Sequence, residues 1–359
     1  MFVFRLCVLA CSILLLLTSC DDAIPIGSTD TAAESWVATT PASQEAWTIY
    51  FSDPFSPYSQ QYQGGPDEAL AKAIDSARLS VDVAVYSLNL WSIRDALIQA
   101  HRRGVVVRVV IESDNMDVPE VRSLIEAGIP VLGDRREGLM HNKFVILDRR
   151  EVWTGSMNLT VSSAYHSYNN LIQVRSPEIA QNYLTEFEEM FVEDLFGEWV
   201  KASTPHPRLV LNDSVVEIYF SPDDGVAARI LELIRSAERS IYFLAYSFTS
   251  DEIGEAIREQ ARNGLTVAGV MEEEQVQSNQ GTEYDAFKQA FLDVRLEGSD
   301  ALMHHKVIIL DETIVVTGSY NFTISAEKRN DENVVILHHP QTAEAFLEEF
   351  WRIYRNAKP

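Results

Sequence analysis

Cysteine is almost absent from this chain. Its three cysteines are Cys7, Cys11 and Cys20, so everything beyond residue 20 must hold together without an internal disulfide. Basic side chains are scarce as well: 29 Lys and Arg stand against 53 Asp and Glu, for a net charge of -24. So acidic a balance argues against general affinity for nucleic acid, which relies on Lys and Arg to neutralise phosphates. A small basic cleft inside an acidic shell is compatible with it. No long apolar run follows residue 20, so no transmembrane helix is expected there. Metal-ligand spacing is missing too. His101, His166, His206, His338 and His339 read as surface or structural, and Glu272-Glu273-Glu274 as a solvated strand end. No metal and no cofactor is expected. What remains is ordinary globular composition, 46% hydrophobic and 23% charged over 359 residues, enough length for two domains.

The N-terminus has the pattern of a targeting signal. Arg5 is the only charge before Asp21, and residues 6–17 are almost wholly apolar, too short a stretch for a comfortable membrane span. It ends in Leu17-Thr18-Ser19-Cys20, which resembles the bacterial lipobox. That resemblance implies a signal peptide over 1–19 and a diacylated Cys20 as first residue of the mature protein. An ordinary cleaved signal peptide and a plain membrane anchor are the alternatives. Two acyl chains anchor stably where one does not. Residues 20–46, rich in Ser, Thr, Ala and Pro, read as a flexible tether. The expected address is the cell envelope, on the membrane and facing away from the cytoplasm.

Beyond the tether the chain says nearly the same thing twice. Residues 141–148 read His-Asn-Lys-Phe-Val-Ile-Leu-Asp and residues 304–311 read His-His-Lys-Val-Ile-Ile-Leu-Asp. Each is followed by Gly-Ser-x-Asn: Gly155, Ser156, Asn158, and Gly318, Ser319, Asn321. Earlier pairs, Ser76/Ser236, Tyr86/Tyr246 and Gly104/Gly264, are offset by 160, and the motif pairs by 163. A three-residue insertion is therefore expected near residues 275–282. Helical and strand patterns alternate in each half, which indicates an α/β layer with a buried sheet. The division predicted is domain one at 47–200, a Pro-bearing linker at 201–212 and domain two at 213–359.

At the start of a strand, residues i and i+2 project to one face. His141 therefore points with Lys143, and His304 with Lys306, while Asn142 and His305 point away. A phosphodiester gathers negative charge on its equatorial oxygens during substitution. Two ammoniums with Ser and Asn donors would stabilise it in a site shielded from water. An imidazole, with an unperturbed pKa of ~6.5, serves near neutral pH as nucleophile or proton donor, and two of them could divide those tasks.

His-x-Lys-(x)4-Asp followed by Gly-Ser-x-Asn, in two copies over about residues 47–356, resembles the phospholipase D superfamily. The resemblance implies metal-independent phosphodiester transfer through a covalent phosphohistidine. It implies an α/β fold of two similar α/β/α domains with mixed sheets about a pseudo-two-fold axis, with the active site at their interface, so that a monomer suffices. Carried over position by position, His141, Lys143, Asn158, His304, Lys306 and Asn321 match catalytic and phosphate-binding positions. Ser156 and Ser319 match the motif serines. Asp148 and Asp311 match a mainly structural acid, in keeping with an Asp that fixes a turn at a strand end. The family often places a carboxylate just before a downstream Asn to orient the His of the other half. Glu332-Asn333 fits this, whereas Asn169-Asn170 puts a neutral amide at the matching place. By analogy Glu332 pairs with His141 and Asn169 faces His304, so the two imidazoles should differ in pKa. His141 is expected as nucleophile and His304 as acid/base.

The motif defines a reaction, not a substrate. The acidic shell and the expected lipid anchor favour phospholipid head-group hydrolysis at a membrane. A metal-independent endonuclease, with nucleic acid as substrate, is the alternative, because residues 143–160 resemble the short nuclease-like branch. A non-catalytic phospholipid-binding envelope protein is the third reading.

Overall fold

Strand and helix periods alternate through both halves, and the fold turns them into two mixed sheets. The computed structural model describes residues 46–359. The expected signal peptide at 1–19, lipidation at Cys20 and the tether up to residue 45 lie outside the described residues. The first half runs β1 (Trp47–Phe51), α1 (Pro66–Ser76), β2 (Ser80–Val85), α2 (Trp91–Arg102), β3 (Val106–Ile111), α3 (Pro119–Glu126), β4 (Val131–Gly133), β5 (Lys143–Leu147), β6 (Glu151–Gly155), α4 (Val161–Tyr165), β7 (Ser167–Tyr168), β8 (Asn170–Arg175) and α5 (Pro177–Phe191). The second runs β9 (Arg208–Leu211), β10 (Ser214–Ser221), α6 (Val226–Ser236), β11 (Ser240–Ala245), α7 (Asp251–Arg262), β12 (Thr266–Glu272), α8 (Glu273–Ser278), α9 (Tyr284–Gln289), β13 (Asp293–Glu297), β14 (Leu302–Met303), β15 (Lys306–Leu310), β16 (Ile314–Gly318), α10 (Ile324–Lys328), β17 (Glu332–His338) and α11 (Pro340–Tyr354).

Apart from β9, the sheet orders correspond strand for strand. The first is β1-β8-β6-β5-β2-β3-β4, and the second, read from its far edge, is β9-β10-β17-β16-β15-β11-β12-β13. Strands β2, β3 and β4 pair in parallel, as do β11, β12 and β13; all other pairs in these two sheets are antiparallel. Strands β2 and β11 are buried along their whole length. Sheets covered on both faces demand such continuous apolar runs. Outside the first sheet, α1, α2 and α3 close a core around Ile74, Val83, Ile93 and Val121. Outside the second, α6, α7 and α9 do the same around Ile234, Phe243, Ile257 and Phe287. Between the sheets lies a third core to which both halves contribute: Phe144, Tyr183 and Phe187 pack with Phe220, Val307, Phe346 and Phe350.

Two departures from the sequence reading concern connections. Residues 201–212, read as a linker, include β9, which pairs antiparallel with β10 and extends the second sheet by one strand. The extra residues near 275–282 do not make a simple loop. The first half has a single 3-10 turn at Ser113–Asn115, and the second half builds helix α8 there. No helix among the described residues is long and apolar enough to cross a membrane.

Candidate active site

Both motif histidines stand two residues before a central strand, β5 or β15. Each is fixed there by the opposite half. The backbone N–H of His141 donates to Asp331 O at 3.0 Å, and that of His304 donates to Tyr168 O at 3.0 Å. The short strands β7 and β14 pair in parallel across the halves at the same level. Neither half alone can hold its histidine in place.

The side chains repeat this exchange. His141 Nδ1 lies 2.7 Å from Glu332 Oε2, and His304 Nδ1 lies 2.9 Å from Asn169 Oδ1. Asn169 donates its Nδ2 to Ser163 O at 3.0 Å and accepts from Ser156 Oγ at 2.9 Å. That fixes the amide orientation, so His304 carries its proton on Nδ1 and keeps a lone pair on Nε2. Ser319 accepts from Asn333 N at 2.9 Å and hydrogen-bonds the Glu332 carboxyl. The motif serines thus orient the groups that orient the histidines. Asn158 Oδ1 and Asn321 Oδ1 are buried without a hydrogen-bond partner among the described residues.

Glycine is required before each serine. Gly155 and Gly318 both have φ of 150°, and a Cβ there would sit 2.4 Å from Asn170 O and 2.2 Å from Asn333 O. The backbone of the downstream Asn must approach that closely to bring residues 169 and 332 to the histidines.

The lysines share the histidine face, as period two requires. Lys143 Nζ donates to His141 O at 2.7 Å and Lys306 Nζ to His304 O at 2.8 Å. Each ammonium also lies over a tyrosine ring, Lys143 5.5 Å from Tyr86 and Lys306 4.7 Å from Tyr246. The same tyrosines meet the imidazoles edge-on, with centroids 5.1 Å and 4.6 Å apart. On the opposite face Asn142 donates to Glu186 and His305 meets Glu349 at 3.0 Å. Asn333 and Asn170 cross between halves there, Asn333 donating to Asn142 at 2.9 Å and Asn170 Nδ2 lying 3.1 Å from His305 Nδ1.

Burial governs the charges. It pushes both imidazoles well below the usual histidine range, and the ammoniums of Lys143 and Lys306 push each of them further. It lowers Lys143 to about 7 against the pull of Glu332, and lowers Lys306 well below the usual range, aided by Lys143. It raises Glu332 to about 7 against the pull of Lys143. Each imidazole therefore lies within the field of both lysines. Two cations and two imidazoles share one buried cluster with a single carboxyl, a site short of negative charge.

Comparisons with known proteins show the family. A family profile described as "Cardiolipin synthase, PLD-like domain" matches residues 70–191 and again residues 230–354. This chain belongs to the phospholipase D superfamily. It is 28% identical over 214 residues to a Phospholipase D of Rickettsia prowazekii, across 59% of this chain and 93% of that protein. It is 32% identical over 127 residues to the Mitochondrial cardiolipin hydrolase of Chlamydomonas reinhardtii, across 35% of this chain and 56% of that one. Its fold is like that of the phosphatidylserine synthase of Haemophilus influenzae, with a TM-score of 0.64 at 14% identity over 87% of each chain. The chain is a phospholipase D-like phosphodiesterase, a hydrolase.

The superfamily motif divides by position. His141, Lys143, Ser156 and Asn169 come together with His304, Lys306, Ser319 and Glu332. Asp148 and Asp311 do not join them. They sit at the other end of β5 and β15, roughly 23 Å along the extended chain from the histidines. Asp148 accepts from the N–H groups of Arg78, Leu79 and Ser80, and Asp311 from those of Glu238, Arg239 and Ser240. Burial raises both carboxyls, but these donors outweigh it and hold them below the usual range.

One reading is corrected and one pair of residues was missed. Glu272 is not part of a solvated strand end. It is buried, and it accepts from the N–H of Met303, the residue before His304, at 2.7 Å. Glu112 does the same at 3.0 Å for Met140, the residue before His141. Burial raises both to about 7, with Asp134 adding to the rise at Glu112 and the Met303 N–H opposing it at Glu272. Their offset of 160 is the sequence signal that could have found them, since Glu112 follows β3 and Glu272 ends the corresponding β12.

Proposed function

We propose that this protein hydrolyses phospholipid head groups through a phosphohistidine, with the two halves facing each other about an approximate two-fold axis. The observation that carries the reading is the reciprocal pairing of each imidazole with the opposite half, which supports both rings serving one phosphorus atom. His141 Nε2 attacks phosphorus, forming the N–P bond as the P–O bond to the head-group alcohol breaks. The reactive form carries His304 as an imidazolium, protonated on Nε2 as well as on Nδ1, and His304 gives the Nε2 proton to the departing oxygen. It then takes a proton from water, which attacks phosphorus and breaks the N–P bond, leaving phosphatidate and free His141. Glu332 suits His141 for the first role. It draws the Nδ1 proton, enriches Nε2, and stabilises the positive ring of the intermediate. Lys143 and Lys306, with Asn158 and Asn321, hold the non-bridging oxygens.

A phospholipid substrate is supported by the names of the relatives, Phospholipase D and Mitochondrial cardiolipin hydrolase. The net charge of -24 weighs against capture of a nucleic acid. The expected signal and lipidated Cys20 would place the enzyme on a membrane of the cell envelope, outside the cytoplasm. The test offers one purified protein phosphatidylcholine vesicles and single-stranded DNA without divalent metal. Choline release that disappears in His141→Ala and His304→Ala, with DNA intact, is the expected result. DNA cleavage without choline release would replace this reading by an endonuclease. Full rescue of a deletion phenotype by the double His variant would replace it by a binding role. Acid-labile label trapped on His141 rather than His304 assigns the nucleophile.

A further inference from the structure

The two halves match closely except at the rim of the site. Between β1 and α1 the first half uses residues 52–65, where between β10 and α6 the second uses only 222–225, fourteen residues against four. The longer segment is unlike the rest of the chain. Residues 54–65 hold no charged side chain in a protein with a net charge of -24. They hold three aromatics instead, and all three are exposed: Phe55 at 60%, Tyr58 at 60% and Tyr62 at 44%. Trp91, 42% exposed at the start of α2, joins them with its ring 5.3 Å from that of Tyr62.

This loop packs against the site. Tyr62 packs edge-on against Tyr165 and His166, and Phe55 lies 6.0 Å from the ring of Tyr168. Ser52, at its base, donates to Ser167 O and accepts from Asn169 N at 2.7 Å. Asn169 is the partner of His304, and Tyr168 O receives the His304 N–H. Asp53, the only charge of the segment, is answered by Arg352 at 3.1 Å.

The opposite side of the rim has the opposite chemistry. The positions matching Tyr165 and His166 at the repeat offset are Lys328 and Arg329, both exposed. With Arg136 and the exposed Trp199 they line a groove of about 310 Å³ that also contains Glu137 and Glu198. Arg136 pairs with Asp331, next to the Glu332 that holds His141. One lip of the cleft is thus aromatic and uncharged, and the other offers two unburied cations, Lys328 and an Arg329 that lies 3.8 Å from the exposed Glu137.

We infer that these two lips are the surface by which the enzyme docks on a phospholipid bilayer. The aromatic lip of Phe55, Tyr58, Tyr62 and Trp91 enters the head-group layer, and Lys328 and Arg329 meet lipid phosphates. The inference rests on the phospholipid reading of the site. Aromatic side chains with an apolar body and a polar edge settle at the head-group level, and cations gain at an anionic surface. An acidic protein otherwise repelled by such a surface would need both at the entrance to its cleft.

The test uses the full chain reconstituted on vesicles of phosphatidylcholine with a minor share of phosphatidylglycerol, so that tethering is common to all variants. Two rates are read, one on vesicle phospholipid and one on soluble bis(p-nitrophenyl) phosphate, together with quenching of tryptophan fluorescence by brominated lipid. In Phe55→Ser/Tyr58→Ser, and separately in Lys328→Ser/Arg329→Ser, the vesicle-to-soluble rate ratio is expected to fall. The second pair should lose roughly thirty-fold at low salt and less at high salt. Quenching should weaken in both, while the soluble rate stays near wild type. An unchanged ratio and unchanged quenching in both variants would overturn the inference and leave the catalytic reading intact. A wild type that cleaves no vesicle lipid would sink the phospholipid reading instead. Quenching lost in the variants would then still support docking, and quenching retained would overturn it.

Discussion

Asn169 and Glu332 occupy matching places in the two halves yet differ by a charge, and that difference separates two otherwise equal histidines. Replacing the amide in Asn169→Asp puts a carboxylate against His304 Nδ1. A carboxylate favours imidazolium, so the His304 pKa should rise, offset in part by burial of the new charge. The measurement is the His304 ring titration by NMR; an unmoved titration would refute the partnership. Ser163 O loses its donor in this variant, so some stability is lost as well. Lys143 supplies a second handle on the chemistry. Lowered to about 7, it is charged below that pH and neutral above it. Its stabilisation of phosphate is therefore present at low pH and lost as pH rises through about 7. The kcat/KM profile on a soluble diester should fall across that range, and a profile flat to about pH 9 would contradict it.

At the scale of elements, the motif aspartates show how a short sequence pattern serves two ends of one strand. His and Lys open β5 at the site, while Asp148 closes it by binding the entry to β2. The turn that follows is left-handed at both central residues, with φ of 51° and 55° at Asp148 and Arg149, and 51° and 57° at Asp311 and Glu312. Asp148→Ala removes the acceptor of three backbone N–H groups. Discounted for solvent screening of a half-exposed carboxylate, the loss should be about 2 kcal/mol, read as a lower urea midpoint. The sign with pH is fixed. A carboxyl depressed on folding contributes above its unfolded pKa and loses that contribution as pH falls through the folded value. The gap between Asp148→Ala and wild type should therefore close in acid. Elements this well marked are legible in the sequence: α5 begins where Ser176 caps it and Pro177 opens it. β7 and β14 have two residues each and stand only because each finds the other across the halves. No local period betrays such a pair. β9 escaped for a related reason, since an edge strand with alternate exposed residues after two prolines looks like a connection. Glu112 and Glu272 escaped because their partners are 28 and 31 residues away, and a run of acids near a strand end usually means solvent.

The whole molecule is tied together more tightly than two repeats in series. The core between the sheets draws α5 and α11 from different halves, and the aromatic chain Phe144–Tyr183–Phe220 crosses from one to the other with centroids 5.0 and 5.1 Å apart. Trp47 at the start of the first half donates to Thr342 in the last helix at 2.9 Å. Both motif histidines depend on backbone acceptors across the same boundary. Opening that boundary would expose the inner faces of both sheets together and leave Glu332, Lys143 and Lys306 without the arrangement that tolerates their burial. Unfolding one half would take the buried partners of the other with it, so the halves should not melt in turn. Calorimetry of the folded chain should show one transition, with the calorimetric enthalpy equal to the van't Hoff value. Val307→Ala, on the inner face of the second sheet, should lower the whole transition without splitting it, by about 2–4 kcal/mol of stability. Two resolved transitions, or a shift confined to one of them, would mean that the site sits at a seam between independent bodies. The reciprocal hydrogen bonds would then have to form only after each half had folded alone, and the preorganisation of the charge-poor site would depend on docking rather than on the core.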